Sequence, residues 1–186
     1  MKTNLMIYSI LIIALMLVGC ATSSEQGDPV AAAEIDREVD IALAQLYANQ
    51  PEARDLAKRA KGILVFPHVL KAGFIAGAQY GKGAMRKGGR TTGYYNIVAG
   101  SYGLQAGVQS FNYAMFFMSD EVLADLDSSA GFEVGVGPSV VIVDAGMAKT
   151  LTTTTLKHDV YAYIFGQQGL MAGLGLQGSK ISRITP

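Results

Sequence analysis

Apolar residues recur at helical spacing early in this chain and at strand spacing later. Ile35, Val39, Ala42, Leu43 and Leu46 fall on one face, with Glu34, Arg37, Glu38 and Gln45 between them, which predicts a helix from about Pro29 to Asn49. Asp28 offers an N-cap and Pro29 suits the first helical position. Pro51 restarts the chain, and Ala53, Leu56, Ala57 and Ala60 form a shorter apolar stripe that should end near Lys61-Gly62. From Gly62 onward Val, Ile, Phe, Tyr and Thr dominate and Gly recurs. Strands are expected near 62–67, 72–80, 92–99, 103–111, 113–118, 132–136, 138–144, 147–155, 159–165 and 169–177. One short helix interrupts them, with Ser119 as N-cap, Asp120 and Glu121 at its positive start, and Leu123 and Leu126 facing inward. The fold class is α+β: N-terminal helices followed by a Gly-rich, strongly twisted, largely antiparallel and barrel-like sheet.

The glycines keep even spacing: Gly73, Gly77, Gly81 and Gly83; Gly103 and Gly107; Gly131, Gly135 and Gly137; Gly169, Gly173 and Gly175. On strands, each set falls on one face and opens a furrow. A furrow lets the sheet coil and bulge, or admits an acyl chain. Gly73, Gly77 and Gly81 also have the spacing of a small-residue motif for helices packed in membranes. Lys71, Gln79 and Lys82 interrupt that segment and leave no run of about 20 apolar residues.

The first twenty residues have a different character. Lys2 precedes an apolar run from Leu5 to Val18, too short for the roughly 20 residues that cross a bilayer, so residues 1–19 read as a signal peptide. Leu17-Val18-Gly19-Cys20 resembles the lipobox of bacterial lipoproteins. The resemblance implies that Cys20, the single cysteine, becomes a lipid-carrying N-terminus bearing acyl chains such as palmitate. Residues 20–28 then form the lipidated Cys and a flexible tether, and 29–186 the folded domain. Ala21 follows where an Asp would often mark inner-membrane retention, and the lipoprotein resemblance implies the outer membrane, facing the periplasm.

The 186 residues carry 15 Lys+Arg and 15 Asp+Glu, and half are hydrophobic, which excludes a disordered chain and argues against a general nucleic-acid binder. The zero net charge conceals segregation. Residues 20–50 carry six acids and one base. Residues 51–90 carry nine bases, among them Arg54, against Glu52 and Asp55, and residues 91–148 hold six acids and no base. Lys58, Arg59, Lys61, Lys71, Lys82, Arg86, Lys87 and Arg90 are therefore candidates for anionic phospholipid headgroups, since each cation near a charged surface contributes about 1 kcal/mol. Lys82 to Arg90 also resembles an exposed hairpin tip able to bind phosphate. The other reading is a solvated face pairing with the acids from Glu34 to Asp40.

Catalytic signals are sparse. His68 and His158 are the only histidines, and neither stands in a metal-binding motif. Ala99-Gly100-Ser101-Tyr102-Gly103 approaches the nucleophile elbow of hydrolases but has Ala in place of the first Gly. A hydrolase built from Ser101, His158 and Asp159 or Asp144 stays a minor reading, and neither cofactor nor metal is expected.

Several ordered blocks carry a family resemblance. Lys61-Gly62-Ile63-Leu64-Val65-Phe66-Pro67, with Lys71 to Phe74 and Gly77 to Gly83, resembles the opening of the SYLF domain family. Ser101 to Gln109 is similar to its S-x-G-x-Q-x-G-x-Q block, and Gly169 to Gly173 with Leu176 to Lys180 to its closing block. Tyr94-Tyr95-Asn96 stands where many members have a Trp-Ser pair. The resemblance implies a lipid-binding module; eukaryotic members bind phosphoinositides and some yeast relatives bind actin. The expected function is a membrane-anchored, non-catalytic domain that binds anionic phospholipid, with Phe74 or Tyr80 adding apolar contact. The alternative is an envelope structural or assembly factor with a protein partner.

Overall fold

The computed structural model describes residues 27–102, 105–128, 132–134, 140–143, 158–173 and 176–186. The expected signal peptide, Cys20 and most of the expected tether lie outside these residues, as does the strand expected at 147–155. Helix α1 (Pro29–Asn49) begins where its cap predicts, with the Val30 N–H donating to Asp28 Oδ1 at 2.9 Å. A second helix follows at once, α2 (Glu52–Arg59). The third, α3 (Asp120–Leu126), is capped by Ser119, whose Oγ accepts from the Val122 N–H at 3.4 Å.

The strands are β1 (Gly62–Gly73), β2 (Ala76–Lys87), β3 (Arg90–Tyr102), β4 (Gln105–Phe117), β5 (Phe132–Val134), β6 (Val140–Ile142), β7 (Val160–Gly173) and β8 (Leu176–Ile184). They form one sheet in the order β5-β8-β3-β2-β1-β4-β7-β6, antiparallel except for the β6–β7 pair. The sequence reading placed breaks inside continuous strands and ran two expected strands, 72–80 and 169–177, from β1 into β2 and from β7 into β8. Three expected breaks, at 68–71, at 112 and at 166–168, are irregularities within continuous strands. Register shifts fall between Phe66 and Val69 in β1 and between Ser110 and Asn112 in β4.

At the β1 irregularity Pro67 has no N–H to lose, and His68 takes a left-handed conformation with φ +52°. The His68 N–H is not lost to solvent, because it donates to Asn112 Oδ1 at 3.1 Å. Asn112, buried, donates in turn to Gln45 of α1 at 3.1 Å. Gly166, at φ +64°, lies against the same pair. The irregularities thus line up across β1, β4 and β7, which are adjacent in the sheet.

The sheet curls strongly into a half-barrel. Ser179 of β8 and Ile142 of β6 line one cavity although six strand spacings separate them, about 29 Å in a flat sheet. Two apolar cores result, one on each face. On the inner face Leu64, Phe66, Met85, Tyr95, Ile97, Met115 and Ile181 pack with Val122, Leu123 and Leu126 of α3. On the outer face Ile35, Val39, Ala42 and Leu46 of α1, with Ala53 and Leu56 of α2, pack on Val65, Ala84, Ala114, Phe116, Tyr161 and Tyr163.

The even glycine spacing serves this curl. A Cβ on Gly83 would stand 2.0 Å from the Val65 carbonyl oxygen, and one on Gly107, at φ +140°, 2.1 Å from that of Leu170. Neighbouring backbone fills the space at these two positions, so it is not a groove for an acyl chain. The helical-packing reading of Gly73, Gly77 and Gly81 is also overturned. Gly73 and Gly77 face each other across the β1–β2 turn as strand partners.

Candidate functional site

The helices cover only part of the outer face. Along the uncovered part, the register aligns Ser110, Leu70, Tyr80 and Val98 in one cross-strand row, and Leu170, Val108, Ala72, Ala78 and Gly100 in the next. Phe74 and Tyr102 continue it toward the strand ends. All but Ser110 are exposed, and Phe74, Tyr102 and Leu170 are each more than 70 % open to solvent. A contiguous outward surface of this kind is unusual on a chain that stays in water.

The charge around this surface has one sign. The chain has no Asp or Glu from Leu56 to Ser119 and none after Asp159, so β1–β4, β7 and β8 carry no acid at all. Lys180 pairs in register with Val98, and Lys82 lies two residues from Tyr80 on the same face; both are exposed.

The eight cations expected to share one patch are spread out. Lys82 lies beside the apolar rows. Lys87 is half-buried and Arg90 exposed at the β2–β3 turn, where Gly88 and Gly89 adopt positive φ. Lys58 faces that turn across a groove of about 490 Å³ that Asp40 also lines, and its ammonium is 2.8 Å from Asp55. Arg59 is exposed on α2, and Lys61 stands 4.0 Å from Asp120. Lys71, half-buried, has the opposite strand parity and faces the interior with its register partner Gln79.

Arg86 serves the fold. Its Nη2 lies 2.7 Å from Asp40 Oδ1, 3.6 Å from Asp36 Oδ1 and 3.0 Å from the Asp36 carbonyl oxygen, and its Nη1 donates to Thr91 Oγ1 at 2.6 Å. Asp36 also accepts from Thr91 Oγ1 at 2.6 Å and from the Tyr94 hydroxyl at 3.0 Å. The pairing of this basic segment with the acids of α1 is therefore realised at Arg86. Burial, and then the hydrogen bond to Asp36, push the Tyr94 phenol up. A matching clamp holds α3, where the Tyr95 hydroxyl donates to Asp127 Oδ1 and Arg183 lies 3.4 Å from the same oxygen. Burial followed by that carboxylate raises the Tyr95 phenol strongly.

On the inner face a cavity of about 230 Å³ opens among Gln79, Ile97, Phe111, Tyr113, Ile142, Ile164 and Ser179. Sequence reasoning missed it, since its wall joins strands far apart in the chain. It also missed Tyr102, Leu170 and Lys180, whose only signal is their strand parity with Leu70, Tyr80 and Val98.

The hydrolase reading fails on geometry. Ser101 is a buried strand residue paired with Gly77, in the register row that reaches Met171 of β7. Asp159 and His158 precede Val160, eleven residues up that strand, a separation of about 35 Å at some 3.3 Å per residue. The His158 ring packs edge-on against Tyr161, and Asp144 lies outside the described residues. Among the described residues, no group of three or more His, Cys, Asp or Glu could hold a metal ion, and no helix is long and apolar enough to cross a membrane.

Residues 98–185 match the family model described as Ysc84, Las17-binding protein actin regulator, and the match supports the SYLF domain family. The matched part runs from Val98 of β3 to Thr185, past the end of β8. It includes the Ser101–Gln109 and Gly169–Lys180 blocks, while the block at residues 61–83 lies before it. A family of binding domains fits a non-catalytic binding role. No curated protein matches the chain at a significant level.

Proposed function

We propose that this chain is a lipid-tethered domain that binds anionic phospholipid surfaces. Cys20 carries the acyl anchor at the outer membrane's periplasmic face, and the domain seats the uncovered outer half of its sheet on the bilayer. The observation that carries this reading is that half-sheet: exposed Leu70, Phe74, Tyr80, Val98, Tyr102, Val108 and Leu170 on strands with no acidic residue. Each large side chain inserted into the interface removes apolar area from water at about 25 cal/mol per Å². Lys82 and Lys180 add headgroup attraction of about 1 kcal/mol each, and Lys87, Arg90, Lys58, Arg59 and Lys61 add longer-range attraction. The contact requires no chemistry from the protein.

All described elements lie within residues 27–186, so a chain starting at Ala21 keeps every described element. Flotation of that chain with phosphatidylcholine vesicles, and with vesicles containing phosphatidylglycerol, tests the reading. The expected result is co-flotation with the anionic vesicles only, weakening with salt, lost in Phe74→Ser/Leu170→Ser and reduced in Lys82→Glu/Lys180→Glu. Binding unchanged in both double variants would overturn the proposed surface. Absence of binding to either vesicle, with a protein partner recovered by cross-linking in the envelope, would favour an assembly factor instead.

A further inference from the structure

The inner cavity is separate from the membrane-facing surface, since the two lie on opposite faces of the sheet. Its wall is apolar at Ile97, Phe111, Ile142 and Ile164, with polar groups from Gln79, Tyr113 and Ser179. Gln79 is 96 % buried there and Tyr113 94 % buried. Burial alone raises the Tyr113 phenol, and Gln79 is already engaged. A hydroxyl in the wall of an otherwise apolar cavity can donate to a polar group that enters it. Lys71, the register partner of Gln79, adds positive charge to this face.

Size decides the ligand class. An apolar cavity of about 150 Å³ holds benzene, and sites for drug-sized molecules run from about 300 Å³ upward. About 230 Å³ lies between them. It accommodates a stretch of one hydrocarbon chain and is too small for both chains of a phospholipid. Ile164 and Ile142 are partly open to solvent, at 38 % and 48 %, and form the entrance.

We infer that this cavity binds the acyl chain of a single-chain carboxylate amphiphile, a long-chain fatty acid, whose carboxyl oxygen accepts a hydrogen bond from Tyr113. The inference deepens the lipid-binding reading but uses a different face, so the two can fail separately. The same acyl chemistry could come from a free fatty acid or from a lysophospholipid, which the test distinguishes.

The experiment is titration of the chain from Ala21 with cis-parinaric acid, a fluorescent polyene fatty acid, followed by displacement with palmitate, palmitoyl-lysophosphatidylglycerol or hexadecane. The expected result is saturable one-to-one binding that palmitate displaces best. Ile164→Trp and Ile142→Trp, which block the entrance from neighbouring, partly exposed positions on β7 and β6, should each weaken binding at least tenfold with the thermal midpoint kept. Tyr113→Phe should weaken palmitate about 10- to 100-fold, the usual effect of one hydrogen bond to a charged group, and leave hexadecane unchanged. Stronger displacement by the lysophospholipid would replace the fatty acid as ligand. Non-saturable binding, or full affinity in both folded Trp variants, would overturn the cavity site. Vesicle flotation should be unchanged in Ile164→Trp, and parinaric acid binding unchanged in Phe74→Ser/Leu170→Ser.

Discussion

Replacing Asp36 with Ala tests whether Arg86 belongs to the fold. In the native chain Asp36 accepts from Thr91 and Tyr94 and stands 3.6 Å from Arg86 Nη2, joining α1 to β2 and β3. Hydrogen bonds to a charged group contribute about 1.5–3 kcal/mol each. The Asp36 side chain is 31 % exposed, where screening holds an ion pair near the surface range of about 0–1 kcal/mol. The two hydroxyl bonds therefore dominate, and both hydroxyls can recover part of the loss by bonding water. We expect Asp36→Ala to cost about 3 kcal/mol and Asp36→Asn, which keeps one acceptor oxygen, about 1 kcal/mol. Urea unfolding of the chain from Ala21 followed by circular dichroism reads both, and an unchanged m value marks the difference as one of stability. Combining Asp36→Ala with Arg86→Met should cost less than the sum of the singles, because the Arg86 side chain is only 12 % exposed and shares this network. Arg86→Met should leave vesicle flotation nearly unaltered. A cost below about 0.5 kcal/mol for Asp36→Ala, the range of an unconnected surface residue, would refute the network.

Burial holds the phenols of Tyr113 and Tyr163 up at about 12. A folded-state value raised above the unfolded value of about 10 gives stability that is complete below pH 10 and lost as pH rises from 10 toward 12. Chemical denaturation across that window should show the decline, and a flat profile would contradict the burial of these phenols. Leu46→Ala, at a fully buried position between α1 and the sheet, should cost about 3 kcal/mol in the same urea assay. Gly83→Ala should cost at least about 3 kcal/mol, since its Cβ would meet the Val65 carbonyl, whereas Gly100→Ala, with open space around it, should stay within about 0.5 kcal/mol. Equal effects of the two glycine changes would refute the backbone-contact argument.

The helices were legible because each signals itself locally: Asp28 and Pro29 at one start, Ser119 with Asp120 and Glu121 at another, and apolar residues at helical spacing between. The strands were legible as strands but not in their lengths. Pro67 and His68 inside β1 read as a turn and Asn112 as a break inside β4, and the groups that satisfy the irregular backbone, Asn112 and Gln45, come from distant parts of the chain. Charge counting along the sequence found a basic segment. It could not see that Lys71 and Lys82 have opposite parity, or that Arg86 reaches back to α1. Leu70, Tyr80 and Val98 look the same in sequence as Val65 and Ala84. Only the position of α1 and α2 decides that the first three are exposed and the last two buried.

The central claim is that the uncovered half of the outer sheet face meets an anionic membrane. Cys20 is the single cysteine, so a chain starting at Ala21 has none, and one cysteine can be placed at will to carry an environment-sensitive fluorophore. The account predicts that a probe at Tyr102→Cys shifts to the blue with phosphatidylglycerol vesicles and not with phosphatidylcholine vesicles. A probe at Ala44→Cys, on the exposed side of α1, should stay unshifted with both. An unshifted probe at Tyr102 on chains that float with the vesicles, or a shift at Ala44 alone, would contradict it.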